Sequence, residues 1–499
     1  RAAAWAALAA WSCVNGACFI QKCESGWVDK DNDHTNGCEH AFSPDGIFHV
    51  HWLDGNDFTA DGSEDYPFQT IAGALDAISE SNWTVLVGEG VYSGGVVIGA
   101  SLEGLKLIGT GSDVTIIESL DLETGIKVEA HGVTVSDVQL TGGDVGVQAH
   151  GADDAPITGL ILERLVIDDL HNPNVACPQC YFGDGGDDGG CHPDNGPSKQ
   201  CFYSSTIGVD LAHTSGARVS LVTFLSIEGA RAPGSSFAYL TPGRPAIGLQ
   251  IENSTDCTVS ANQVLGPLKG GLGARGDDIR SAESGASIGM RLAGVTHSIV
   301  TGNLLSGLTG ATGKSGGSTS WGASTPGPGG AVIAVQIEGD SEGLTVTGNT
   351  AQSLQGGPGG PGYNGVAGGL TIGVRMTAGA QGASLSSNTF VGLKGGLHSG
   401  DGVRNAAYGV WFEDDSLAHD IDDTNIHEGD PIIYIYGADG LVLDGLQLIG
   451  QGSPTNLGKL AIVASENVTV SGGEFAHQRG VEGLSSGTYH NKGTAASPG

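Results

Sequence analysis

The stretch Ile247-Gly248-Leu249-Gln250-Ile251 decides how this chain is read, because it recurs. The order is apolar, small, apolar, polar, apolar. It returns as Val145-Gly146-Val147-Gln148, Ile207-Gly208-Val209-Asp210-Leu211, Ile288-Gly289-Met290-Arg291-Leu292, Ile333-Ala334-Val335-Gln336-Ile337, Ile372-Gly373-Val374-Arg375-Met376 and Tyr408-Gly409-Val410-Trp411-Phe412. From Gly208 onward the small residues are spaced 40, 41, 45, 39 and 36 apart. Each run is short, alternating and rich in Val, Ile and Leu, which marks strands with one buried face. A single coil of this kind cannot bury its apolar face alone. Coils must stack at the ~4.8 Å strand spacing, giving parallel sheets around a continuous core.

A second strand and a corner follow each run at constant phase: Val259-Ser260-Ala261-Asn262, Val300-Thr301-Gly302-Asn303, Val346-Thr347-Gly348-Asn349 and Leu385-Ser386-Ser387-Asn388. Asparagine tolerates the turn conformation and can bond to the Asn above and below, so Asn262, Asn303, Asn349 and Asn388 are expected to form a corner ladder. Glycine-rich inserts leave the coils at 269–286, 309–331, 355–369 and 394–406, and a Cys-rich insert at 172–204. Emerging from equivalent points, the glycine-rich inserts are expected to pile up on one side, either as close-packed extended strands or as surface loops.

The fold expected is therefore all-β: a single right-handed parallel β-helix over residues 47–478. Ahead of it stand an Ala-rich arm or targeting remnant (1–11) and a small disulfide-rich module (12–46), and behind it a Gly/Ser/Ala-rich tail (479–499). Composition agrees: glycine is 86 of 499 residues, far above average usage, while 39% of the chain is hydrophobic, so turns and a packed core coexist. The formal charge of −34 repels nucleic acid and sets that class of partner aside. No apolar run approaches the ~18 residues that read as a membrane span.

Cys13, Cys18, Cys23 and Cys38 form one cluster and Cys177, Cys180, Cys191 and Cys201 another, with Cys257 alone. Two clusters of four in loop-like sequence read as disulfide frameworks in a secreted, extracellular protein, with zinc the alternative at the Cys177/Cys180 pair. Asp29, Asp31 and Asp33 have the alternate spacing of a calcium loop, although His34 and His40 stand where such loops carry Gly and Glu. Calcium is the one cofactor this suggests. His49 and His51 alternate, as two ligands on one side of a strand would, or as surface residues of an edge strand.

Before the coils come Leu53-Asp54-Gly55-Asn56-Asp57, Asp61-Gly62-Ser63 and Tyr66-Pro67-Phe68-Gln69-Thr70-Ile71. Phe68, Ile71, Leu75 and Ile78 then share one face of a short helix expected to begin at the proline and to cap the first coil. Together with the repeats, this opening resembles the pectin-lyase-like right-handed β-helix proteins. The N-terminal module resembles a Cys-rich repeat of bacterial secreted surface proteins, except that Lys30 stands where a Cys is common.

That resemblance implies fold rather than chemistry, because it spans lyases, hydrolases, epimerases and adhesins. Arg291 and Arg375 fall in the polar slot of the repeat and are expected to face solvent. The acidic pairs Asp277-Asp278, Asp414-Asp415 and Asp422-Asp423 lack the sequence contexts of the hydrolases of this fold. The expected function is that of a structural or adhesive component of a cell-surface fibre, sheath or layer, self-associating end to end into a homo-oligomer or filament. The alternative is a secreted polysaccharide lyase or glycoside hydrolase, with an adhesin that binds polysaccharide between the two.

Overall fold

The computed structural model describes residues 46–413, except 121–122, 172–204, 231–241, 274–282, 316–317, 320–321, 324–325, 362–365, 378 and 401–402. It also describes strands Ala9–Val14, Ala17–Cys23, Trp27–Val28 and His40–Ala41 before them, and short stretches between 420 and 471 after them. The chain is a single parallel β-helix, with one α-helix, Ile71–Ala77, among the described residues. Sheet 1 has eleven strands, from Ile47–Val50 to Asp420–Ile421, and sheet 2 has ten, from Gly90–Ser93 to Ile426–His427. Sheet 3 holds the longest strands, including Ala246–Thr255 and Ser287–Thr296, and ends at Leu460–Val463. Two compact units are distinguished. One comprises residues 1–168, 210–223 and 255–258, the other the remainder.

In the first unit, register stacks Val85, Leu107, Val135, Leu162 and Val219 in sheet 1, all buried. The helix begins at Ile71, not at Pro67. Thr70 is its N-cap, with Oγ1 accepting from the Gly73 amide at 2.9 Å. Asp57 holds that cap: its Oδ1 accepts from the amides of Gln69 (2.7 Å) and Thr70 (3.0 Å), and its Oδ2 from Thr70 Oγ1 (2.7 Å). Phe68 stays extended, bridged to Val50, and Ile71, Ala74 and Leu75 are the helix residues that become buried.

In the second unit, Val300, Val346 and Leu385 stack in sheet 1, Leu305, Ala351 and Phe390 in sheet 2, and Met290, Val335, Val374 and Val410 in sheet 3. The glycine of the repeat faces this core: a Cβ on Gly208 would lie 2.6 Å from Phe224 Cδ1, and one on Gly373 2.9 Å from Phe390 Cδ1. The residue before it belongs to a second apolar row, Ile207, Ile247, Ile288, Ile333, Ile372 and Tyr408, packed against Ala286, Leu370 and Ala406. Each long strand thus serves two apolar clusters, and the glycine between them leaves the room the aromatic rings need.

The glycine-rich inserts of this unit hydrogen-bond to one another with a period of three. Gly310 and Gly313 donate to the carbonyls of Gln355 (2.9 Å) and Pro358 (2.8 Å), and Gly327 and Gly330 to Lys314 (2.9 Å) and Ala311 (2.8 Å). Gly357 and Gly360 donate to Gly330 (2.9 Å) and Gly327 (2.9 Å), and Gly356 and Gly359 to Lys394 (2.9 Å) and Leu397 (2.8 Å). Three residues per turn with the bonds made between neighbouring extended segments, within one insert or from one insert to the next, is the habit of polyproline-II-like backbone. None of these glycines has a positive φ, so the requirement is for space. A Cβ would come within 1.9 Å of the Ala311 carbonyl at Gly357 and 2.0 Å of the Gly327 carbonyl at Gly313.

Candidate functional site

The corner asparagines stack as a buried ladder. Asn262 donates its amide and its Nδ2 to Asn303 Oδ1, both at 2.9 Å. Asn303 donates likewise to Asn349 (3.0 and 2.8 Å), and Asn349 to Asn388 (both 3.0 Å). Each corner is turned by the left-handed residue before the asparagine: Ala261, Gly302, Gly348 or Ser387. In the first unit the same place after a left-handed residue holds the buried apolar Val138, Leu165 and Val222. The ladder satisfies buried backbone and side-chain groups. It offers nothing to a ligand.

The outer face of sheet 3 in the second unit does. The residue after Ile-Gly-Val in each coil points outward, and the strand register aligns Arg291, Gln336, Arg375, Trp411 and Tyr434 across neighbouring strands. Arg291 clasps Glu338 with two parallel bonds, Nε to Oε1 at 2.9 Å and Nη2 to Oε2 at 2.8 Å. Its Nη1 donates to Gln250 Oε1 at 3.0 Å and also to Glu252. Arg375 donates from Nε (2.9 Å) and Nη2 (2.7 Å) to Glu413 Oε1. Beyond Arg375 the rings of Tyr408, Trp411 and Tyr434 lie 4.8–5.0 Å apart, centroid to centroid, in tilted and edge contacts. The polar slot therefore does face outward, but its guanidinium groups are engaged by carboxylates two residues further along the strands.

Two polar atoms in this row have no partner: Gln336 Oε1 and Trp411 Nε1, on either side of Arg375. Gln336 is only 8% exposed and its Nε2 donates to Glu338, which fixes the amide so that its oxygen points elsewhere. A buried acceptor and a buried donor left open cost about 1–3 kcal/mol each, and such costs persist where a site needs them.

The carboxylates differ in proton affinity. Burial raises Glu338, yet hydrogen bonds from Arg291 and Gln336 and the charges of both arginines outweigh it, holding the group below the usual glutamate range. Partial desolvation pushes Glu283, an exposed residue, up against the opposing pull of Arg375. Burial also raises Tyr434, helped by Tyr436. Glu283 is thus inclined to keep its proton and Glu338 to stay ionised, and both feel the charge of Arg375.

The glutamates were not singled out in the sequence, though the signal is there. Two residues past the polar slot the repeat reads Glu252, Ala293, Glu338, Thr377 and Glu413. In the first unit the same face carries Lys127 with Glu129 (2.7 Å) and His150 with Asp210 (2.9 Å). Cys38, the cluster Cys177, Cys180, Cys191, Cys201, the Asp29, Asp31, Asp33 spacing and the pairs Asp277-Asp278, Asp414-Asp415 and Asp422-Asp423 all lie outside the described residues, as does the tail. For Cys13, Cys18 and Cys23 only backbone is described, a hairpin that sets Cys13 opposite Cys18. Cys257 is buried, its thiol donating to the Thr255 carbonyl at 3.4 Å. His51 Nδ1 accepts from the Asp54 amide at 3.2 Å, and no group of three or more metal-ligating side chains occurs among the described residues. No helix among them is long and apolar enough to cross a membrane.

No family model and no curated protein matches this chain. Among solved structures it is similar to an alginate lyase from Paenibacillus sp. str. FPU-7, at 10% identity over 73% of this chain and 94% of the other, with a TM-score of 0.38. It is also similar to the A-module of a mannuronan C-5 epimerase from Azotobacter vinelandii (15% identity, 82% and 94% covered, TM-score 0.35). A third is the DFA-IIIase of Arthrobacter chlorophenolicus A6 (12% identity, 86% and 85% covered, TM-score 0.36). At these TM-scores the resemblance speaks to neither substrate nor reaction, and the functional reading rests on the side chains of sheet 3.

Proposed function

We propose that this chain is a secreted polysaccharide-active β-helix protein that lays a glycan along the outer face of sheet 3, with Glu283 as proton donor and Glu338 as the ionised carboxylate. The observation that carries the reading is the open pair flanking Arg375, the Gln336 oxygen and the Trp411 indole N–H, beside a trio of aromatic rings. A sugar ring has hydroxyls that both donate and accept, and an apolar C–H face that packs on aromatics. It meets all three features at once. A purely fibre-forming role calls for no such pair of atoms.

The test is a panel of polysaccharides incubated with the purified chain, scored for binding and for new reducing ends or unsaturated uronates. Binding weakened by Gln336→Leu, with products abolished by Glu338→Gln and Glu283→Gln, is the expected result. Binding without products would leave an adhesin and overturn the catalytic roles. Absence of binding to every member would overturn the reading as a whole.

A further inference from the structure

The charges on this face select among glycans. The inference rests on the reading of sheet 3 given above and concerns only the class of sugar. Arg291 and Arg375 are its cations. Glu252 and Glu338 bond to the first, Glu413 to the second, and Glu283 feels the charge of Arg375. Two guanidinium groups thus stand among four carboxylates. All three nitrogens of the Arg291 guanidinium are committed to Gln250, Glu252 and Glu338, and Nε and Nη2 of Arg375 to Glu413. A uronate carboxylate would find every nitrogen of Arg291 and two of the three of Arg375 already engaged, and would add a like charge to a partly buried, carboxylate-rich face.

An ammonium group meets the opposite conditions. The surplus carboxylates attract it, the partly exposed rings of Trp411 and Tyr434 offer cation–π contact, and a chain with formal charge −34 steers polycations toward itself. The buried, unpartnered Gln336 oxygen points to a ligand independently of the charge, since it calls for a hydroxyl or ammonium donor. We propose that the face takes an amino-sugar polymer bearing free ammonium groups, a deacetylated glucosamine-type glycan, and discriminates against uronates. The ammonium lies toward Glu413 and Glu283, while neighbouring hydroxyls engage Gln336 Oε1 and Trp411 Nε1.

Calorimetric titration of the full chain with three oligosaccharides of equal length, made of glucosamine, N-acetylglucosamine and a uronic acid, at ~0.15 M salt tests this. The glucosamine oligomer is expected to bind at least about tenfold tighter than the uronate, and to lose roughly tenfold in Glu283→Gln and Glu413→Gln, a typical span for one charge contact. Glu64→Gln, an exposed neutralisation in the first unit, is expected to change nothing. Circular dichroism and binding of the uncharged N-acetylated oligomer confirm that each variant is folded. Equal or tighter binding of the uronate would overturn the proposal, as would an equal loss in Glu64→Gln, which would mark unspecific attraction. If the N-acetylated or uronate oligomer binds in a Gln336-dependent manner and the ammonium form does not, this inference falls and the glycan-binding face stands. If no oligosaccharide binds, both fall.

Discussion

The backbone amide and the side-chain Nδ2 of Asn303 both donate to a single atom, Oδ1 of Asn349, at 3.0 and 2.8 Å. Asn303 Oδ1 in turn receives both donors of Asn262. Removing one member of such a chain strands two buried donors on the coil before it. Asn303→Ala is expected to destabilise the protein by about 3 kcal/mol, and Asn303→Val by no less, since the valines that suit the corners of the first unit have no asparagine donors beneath them to leave open. Chemical denaturation measures both. A cost below about 1 kcal/mol would show that the ladder stabilises little.

Glycines of two kinds predict two different costs. Gly302 has a φ of +64° and nothing near its absent Cβ, so Gly302→Ala carries only the strain of the left-handed conformation, about 1–2 kcal/mol. Gly357 has an ordinary φ, but a Cβ there would sit 1.9 Å from the Ala311 carbonyl. Gly357→Ala must push two inserts apart and is expected to cost more than Gly302→Ala. It should also speed amide exchange at Gly310, Gly330 and Gly369, whose bonds belong to the same array.

The cap of the helix is a coupled device. Thr70→Ala should cost about 1 kcal/mol, the usual worth of an N-cap, and Asp57→Ala more, because three bonds end on its carboxylate. As the two side chains also bond to each other, the double variant should lose less than the sum of the singles. Additivity within error would mean that Asp57 does not act through the cap.

Acid should weaken the second unit through Glu338. Its carboxyl is held below the unfolded value, so its contribution is present above the ordinary glutamate range. That contribution is lost as pH falls through about 4 and toward the folded value. Thermal melting of Glu338→Gln should begin lower at neutral pH, by the equivalent of about 2 kcal/mol, and decline less steeply on acidification. An acid limb identical to that of the parent chain would remove Glu338 from the account.

The sequence and the structure part company where information is not local. The sheets and the asparagine corners were legible because one pattern, Ile-Gly-Val with a polar residue next, repeats at nearly constant spacing. The helix start was not: Pro67 is a local signal, but Asp57, ten residues earlier, supplies the carboxylate that places the cap at Thr70. The face of sheet 3 was half legible. Its arginines sit in the repeat, whereas the pairing of Arg291 with Glu338 depends on strand register, and Tyr434 joins Trp411 from a coil, Ile433-Tyr434-Ile435, that lacks the glycine marker altogether. The three-residue phase was hidden because the inserts differ in length, so it exists only in the bonds between neighbouring backbone segments.

That phase limits how such a protein can change over generations. Because the amides of one insert find their acceptors in the next, a coil gained by duplication must arrive with an insert whose glycines keep step with both neighbours, and a coil lost must take its insert with it. A single residue gained or lost between two bonded glycines of one insert throws its partners out of step as well, so coil and insert change together.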